Sequence, residues 1–237
     1  MRNLLSLLIL SLLIPVMIFA NNKPVNPNQT QKKMNILTIG DSNGALAYGW
    51  PVQIKNLLPD ATVVNKSISG NTIGFDNLDQ VKLNTLKNID QYMDDAFKEL
   101  GAGKHFDFIV MDLGTNDTKK VFENRQKEVA ENMDLLIHKI KGYLTAHNMT
   151  IPKICICTPS PMDEDKADKA KYGGGDGRIQ ANNIEFKRIA KENKIDFLDT
   201  YSVLKPGLAE KTVDGVHLVE KAQLEMATEM VKYIKSK

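Results

Sequence analysis

Short apolar runs alternate with longer stretches of helical period from residue 35 to the end of the chain, and that order leaves little choice of fold. The runs 35–39, 61–68, 106–113, 153–157 and 195–198 are apolar or rich in β-branched residues and bounded by turn residues, which predicts buried strands. The stretches 50–58, 78–100, 123–146, 179–192 and 220–234 repeat their apolar residues at helical spacing. In the second of them Leu83, Leu86, Ile89, Met93 and Phe97 form one stripe. Strands separated by helices run parallel, because each return crosses over the sheet. The expectation is one α/β domain over 34–237, a three-layer α/β/α sandwich on a five-stranded parallel sheet of order 2-1-3-4-5.

What precedes residue 34 reads as a different kind of segment. Arg2 is followed by an uncharged apolar run over 4–20 that holds Pro15 and ends on the small residue Ala20. This pattern predicts a signal peptide over 1–20, a flexible polar leader over 21–33, and a secreted or periplasmic protein without stable membrane insertion once the signal is cleaved. A membrane anchor and a start at Met34 are the competing readings. The balance of 31 Lys and Arg against 29 Asp and Glu offers no electrostatic footprint for nucleic acid. Cys155 and Cys157 lie next but one on a strand, too close for an unstrained disulfide, and read as small core hydrophobes on one face.

In open parallel sheets ligands bind beyond the carboxyl ends of the strands, where the strand order reverses. In the order 2-1-3-4-5 the segments after strands 1, 2 and 3 share one crevice. They are Gly40, Asp41, Ser42 and Asn43; Ser69, Gly70, Asn71 and Thr72; and Gly114, Thr115, Asn116 and Asp117. A fourth segment, Asp214, Gly215, Val216 and His217, supplies the carboxylate and imidazole that can activate a hydroxyl. Each residue alone also has an ordinary role: Ser42 as a helix cap, Gly70 and Asp214 as turn residues, His217 at a helix start.

Taken in order, the four segments resemble the sequence blocks of the SGNH (GDSL-type) hydrolases over the chain from about residue 35 onward. Asn43 departs from the Leu or Ile frequent in that family, and as a neighbour of Ser42 it leaves the other positions intact. The resemblance implies Ser42 as nucleophile, His217 as base and Asp214 as its partner. It implies an oxyanion hole built from the backbone N–H groups of Ser42 and Gly70 and the amide of Asn116. It also implies that the loop carrying Asp214 and His217 folds back over the sheet, and that no metal or organic cofactor is used. Asp41 and Asp117 read as acceptors bracing their loops.

The segment 159–177 carries Asp163, Glu164, Asp165 and the glycine run 173–175. An EF-hand is excluded because Asp168 stands where that loop needs glycine, and no Gly-Lys-Ser/Thr follows for a phosphate loop. It is expected to form a mobile wall of the substrate site. The leading function is a serine esterase acting on short-chain, foremost acetyl, esters of carbohydrate, since no apolar lid is visible. A lysophospholipase or thioesterase, and a non-catalytic binding protein on the same scaffold, are the alternatives. A flavin protein of the flavodoxin-like order is disfavoured by Asp41, whose charge stands where phosphate would sit.

Overall fold

A computed structural model describes residues 33–237; the expected signal peptide and leader lie outside the described residues, apart from Lys33. Five parallel strands form one sheet in the order β2-β1-β3-β4-β5. They are β1 (Asn35–Gly40), β2 (Thr62–Asn65), β3 (Phe108–Asp112), β4 (Lys153–Cys157) and β5 (Asp196–Leu198). The helices are α1 (Ser42–Ala45), α2 (Trp50–Leu57), α3 (Thr85–Leu100), α4 (Gln126–Ala146), α5 (Lys169–Tyr172), α6 (Gly175–Glu192), α7 (Thr200–Leu204), α8 (Leu208–Lys211) and α9 (Glu220–Lys235).

Strand periodicity divides the core. Leu37, Ile39, Ile109, Met111, Ile154 and Ile156 face one way and pack with residues of α3, α4 and α6. Ile36, Phe108, Val110, Cys155 and Cys157 face the other way and pack with α2, α7 and α9. The central strands are therefore apolar on both faces, as a sheet covered by helices on each side requires. Both cysteines are free, buried and on one face. Among the described residues no helix is long and apolar enough to cross a membrane.

Three helix starts differ from the sequence expectation, one of them because residues 120–125 form a 3₁₀ helix and α4 begins only at Gln126. The helix expected from residue 78 begins at Thr85, because Leu78 and Asp79 both adopt φ of 55° and break the backbone run. Asn84 then caps α3 through its side chain on the Lys87 N–H. The helix expected from residue 179 begins at Gly175, preceded by Gly174 in the left-handed region at φ 74°. A side chain at Gly175 would meet the Met162 sulfur at 2.7 Å and push it aside.

Candidate active site

Each of the first three crevice segments leaves a strand at its carboxyl end. Gly40 closes β1, and Asp41 caps α1 by accepting the Asn43 N–H at 2.9 Å. The cap is thus supplied by Asp41, which releases the Ser42 hydroxyl for another partner. That partner is His217: its Nε2 lies 3.0 Å from Ser42 Oγ. On the other side of the ring, Nδ1 lies 2.7 Å from Asp214 Oδ2.

The base is held by its own loop and by the segment after β4. Asp214 Oδ1 accepts the backbone N–H groups of Val216 and His217 at 3.1 and 2.8 Å, and Val213 N–H donates to the His217 carbonyl at 2.9 Å. Burial acts to raise the Asp214 carboxyl, but the hydrogen bonds from His217 and Val216 outweigh it and hold the group below the usual range. Gly215, at φ 84°, gives its carbonyl to the Asp163 N–H at 2.9 Å.

The segment 159–177, expected as a mobile wall, is instead fastened against this loop. Asp176 accepts from Met162 N–H, the Tyr201 hydroxyl and the Lys205 ammonium at 2.8, 2.9 and 2.7 Å. Lys166 Nζ reaches the Thr212 carbonyl at 3.2 Å. Asp176, Met162 and Tyr172 of this segment are buried.

On the other flank, Gly70 sits at φ 88° and its carbonyl accepts Asn77 Nδ2 at 2.6 Å. Asn116 opens a 3₁₀ turn after β3 and gives one amide hydrogen to the Asn71 carbonyl at 3.0 Å. An amide carries two hydrogens, so one remains to be offered to a ligand. Asn71 Nδ2 donates to the Gly40 carbonyl at 3.3 Å, so Asn71 links the loop after β3 to the end of β1.

Several residues that the sequence did not single out shape this electrostatics. Asp112 stands beside Gly40 in the sheet register; burial, with the charge of Asp41, pushes it well above the carboxylate range. Burial also raises Asp41, opposed by the Asn43 N–H, the Thr115 hydroxyl and the charges of His217 and Lys119. Lys119 donates to Asn77 Oδ1 at 2.9 Å, and burial together with the charge of Lys171 lowers its ammonium to about 8. The motif spacing could not reveal Asn77 or Lys119, since neither belongs to the four segments. The remaining histidines stand apart: His138 and His147 are exposed and bond carbonyls of their own helical turns, and His105 precedes β3 at the amino end of the sheet. Among the described residues no group of three His, Cys, Asp or Glu side chains is placed to hold a metal ion.

The structure brings Ser42, His217 and Asp214 into one line of contacts, and links Asn116 through Asn71 to the end of β1. The GDSL-like lipase/acylhydrolase family matches the chain over residues 37–223. The chain belongs to this family. No curated protein sequence matches it. Among solved structures, a carbohydrate acetylesterase from Sinorhizobium meliloti is similar, with a TM-score of 0.74 at 19% identity, covering 86% of this chain and 99% of the other. An aryl esterase from M. smegmatis in inhibitor-bound form gives a TM-score of 0.71 at 20% identity, over 86% and 99%. A putative platelet activating factor structure from Streptococcus pneumonia gives 0.64 at 22%, over 87% and 86%. At these identities the likeness carries the fold, and family membership rests on the sequence match.

Proposed function

We propose that this member of the family is an exported serine esterase that removes short acyl groups, foremost acetyl, from carbohydrate esters. The observation that carries the reading is the line of contacts from Ser42 Oγ to His217 Nε2 at 3.0 Å and from His217 Nδ1 to Asp214 Oδ2 at 2.7 Å.

In this reading His217 Nε2 takes the Ser42 proton as Oγ attacks the ester carbonyl. Asp214 accepts from Nδ1, fixes the ring tautomer and stabilises the imidazolium that forms. The carbonyl oxygen becomes negative and is received by the Ser42 and Gly70 N–H groups and the second Asn116 hydrogen. The imidazolium then gives its proton to the departing alcohol, leaving an acyl group on Ser42. Water, deprotonated by the same imidazole, attacks this acyl-enzyme, releases the carboxylic acid and restores the serine.

The polar crevice segments support a small acyl pocket and a hydroxyl-rich acceptor. Trp50 is fully buried, and Met162 and Tyr172 are 2% and 7% exposed, so none offers a free face to line a groove. The name of the Sinorhizobium meliloti neighbour agrees with a carbohydrate ester, and the charged start and apolar run over 4–20 support export. One observation favours a second reading, a lysophospholipase or thioesterase: Leu78 and Val121 are 66% and 76% exposed, close in sequence to Asn77 and Lys119. The test is hydrolysis of p-nitrophenyl acetate and acetylated xylan by the protein and by Ser42→Ala, with fluorophosphonate labelling of both. Loss of turnover and label in a folded variant is expected; substantial hydrolysis by Ser42→Ala overturns the reading. Binding without turnover by the unmodified protein would make it a binding protein.

A further inference from the structure

Asn43 follows Ser42 directly, and its buried side chain reaches across to the loop of the base, 173 and 175 positions away in sequence. Its Nδ2 donates to the Val216 carbonyl at 3.2 Å, and its Oδ1 accepts the Leu218 N–H at 2.9 Å. These two groups belong to the peptide units on either side of His217. One amide therefore holds the base's backbone from both flanks.

The orientation of that amide is itself set. Gln223, fully buried on α9, donates Nε2 to Asn43 Oδ1 at 3.0 Å and accepts the Trp50 N–H at 2.9 Å. Asn43 Oδ1 thus faces two donors and its Nδ2 faces a carbonyl, so a flipped amide would set donor against donor. A leucine or isoleucine here would leave the Val216 carbonyl and the Leu218 N–H buried without these partners.

We propose that Asn43 is a positioning residue for the reaction: it sets the distance between nucleophile and base by fastening the peptide units that bracket His217 to the residue next to Ser42. This deepens the esterase reading and rests on it. Asp214 orients the ring within its own loop, through contacts that do not involve the Ser42 turn. Among the described side chains that hydrogen-bond the backbone of residues 216–218, Asn43 is the one peptide-bonded directly to the nucleophile. A small drift of the loop lengthens the 3.0 Å contact between Nε2 and Oγ while leaving the substrate pocket in place. The step affected is proton removal from Ser42, and not substrate binding.

The experiment compares Asn43→Ala, Gln223→Met, Ser42→Ala and Ile89→Ala, the last a core truncation on the opposite face of the sheet that serves as a stability control. Steady-state kinetics on p-nitrophenyl acetate, the fluorophosphonate labelling rate of Ser42, Tm and near-ultraviolet circular dichroism are measured for each. In Asn43→Ala the expected result is a kcat lower by about ten- to a hundredfold with KM nearly constant, and a labelling rate lower in parallel. Gln223→Met should show the same split with a smaller loss, and it decides the matter by the same readouts if Asn43→Ala does not fold. Ile89→Ala should lose Tm without the selective loss of kcat and labelling. Wild-type kcat and labelling in folded Asn43→Ala, with Ser42→Ala inactive, overturn the clamp and leave the esterase reading standing. An equal kcat loss in Ile89→Ala at a matched loss of Tm overturns it as general loosening. Activity surviving Ser42→Ala overturns both.

Discussion

Both carboxylate oxygens of Asp117 lie 3.0 Å from the backbone nitrogen of Ile73, so the loop after β3 is tied to the loop after β2. These loops carry Asn116 and Gly70. Burial raises the Asp117 carboxyl to about 7, against the hydrogen bonds from Ile73 and Gly74. A carboxyl raised in the folded state holds its proton to higher pH than in the unfolded chain. Stability from this group is therefore lost as pH rises from about 4 to about 7. Asp117→Asn has no such titration. The stability of the unmodified protein relative to Asp117→Asn should fall between pH 4.5 and 7.5, read by urea unfolding at both. A gap that widens with pH gives the sign the other way and defeats the assignment.

Much of the fold was legible because its signals are local. β4 carries an apolar run between Pro152 and Pro159 and was bounded correctly. The start of α3 lies later than the pattern suggests, because the helical stripe already begins at Leu83 while the backbone at Leu78 and Asp79 turns left-handed and the helix itself starts at Thr85. The same division runs through the site. Ser42, Gly70 and Asn116 follow strand ends, and Asp214 and His217 sit three apart in a turn. Asn43 and Gln223 meet only when α9 packs beside α2, and no local spacing announces a contact over 180 positions.

Asp214→Asn keeps the size of the side chain but can no longer accept from His217 on both oxygens. The carboxyl is held below its usual range by the hydrogen bonds from His217 and Val216, so the ionised form is the favoured one. The variant should lose about 10⁴-fold in kcat, somewhat less than His217→Ala, because the wrong ring tautomer would be favoured. Stopped assays on p-nitrophenyl acetate at pH 7 and 8 measure both. An Asp214→Asn enzyme within tenfold of the unmodified protein would remove Asp214 from the proposed triad.

Asn116→Ala separates charge stabilisation from binding. Its amide already spends one hydrogen on the Asn71 carbonyl, so the change also loosens a loop contact. The free hydrogen would strengthen its interaction as charge builds on the substrate oxygen. The expected outcome is a kcat lower by roughly a hundredfold or more with a much smaller change in KM. A rise in KM at constant kcat would make Asn116 a substrate-binding group.

Gly215→Ala tests how the segment 159–177 supports the base. The residue sits at φ 84°, and an added Cβ would meet the Asp163 carbonyl at 2.4 Å and the Ala167 nitrogen at 2.5 Å. Both neighbours are backbone and cannot simply rotate away. A loss of about 1–3 kcal/mol is expected from strain and overpacking, with a fall in Tm of several degrees and reduced turnover. An unchanged Tm would mean that the loop yields, and that the contact with Asp163 does not hold it.

Acyl chain length separates the two readings of the substrate. Each methylene buried from water contributes about 0.8 kcal/mol, so an enzyme with an apolar groove gains steadily from acetate to decanoate. Here the segments after β1, β2 and β3 are Gly, Asp, Ser, Asn and Thr residues for the most part, and the large apolar side chains nearby, Trp50, Met162 and Tyr172, are packed inside. A short chain then loses nothing that a long one could gain, while a long one must leave its tail in water or displace buried side chains. Acetate should be cleaved faster than octanoate. Leu78 and Val121 are exposed aliphatic residues near Asn77 and Lys119 in the sequence, so the series is repeated with Leu78→Ser and Val121→Ser. Neither change should alter the preference for acetate. Rates that climb with chain length, and fall back in those two variants, would replace the carbohydrate ester with a lysophospholipid or long-chain thioester.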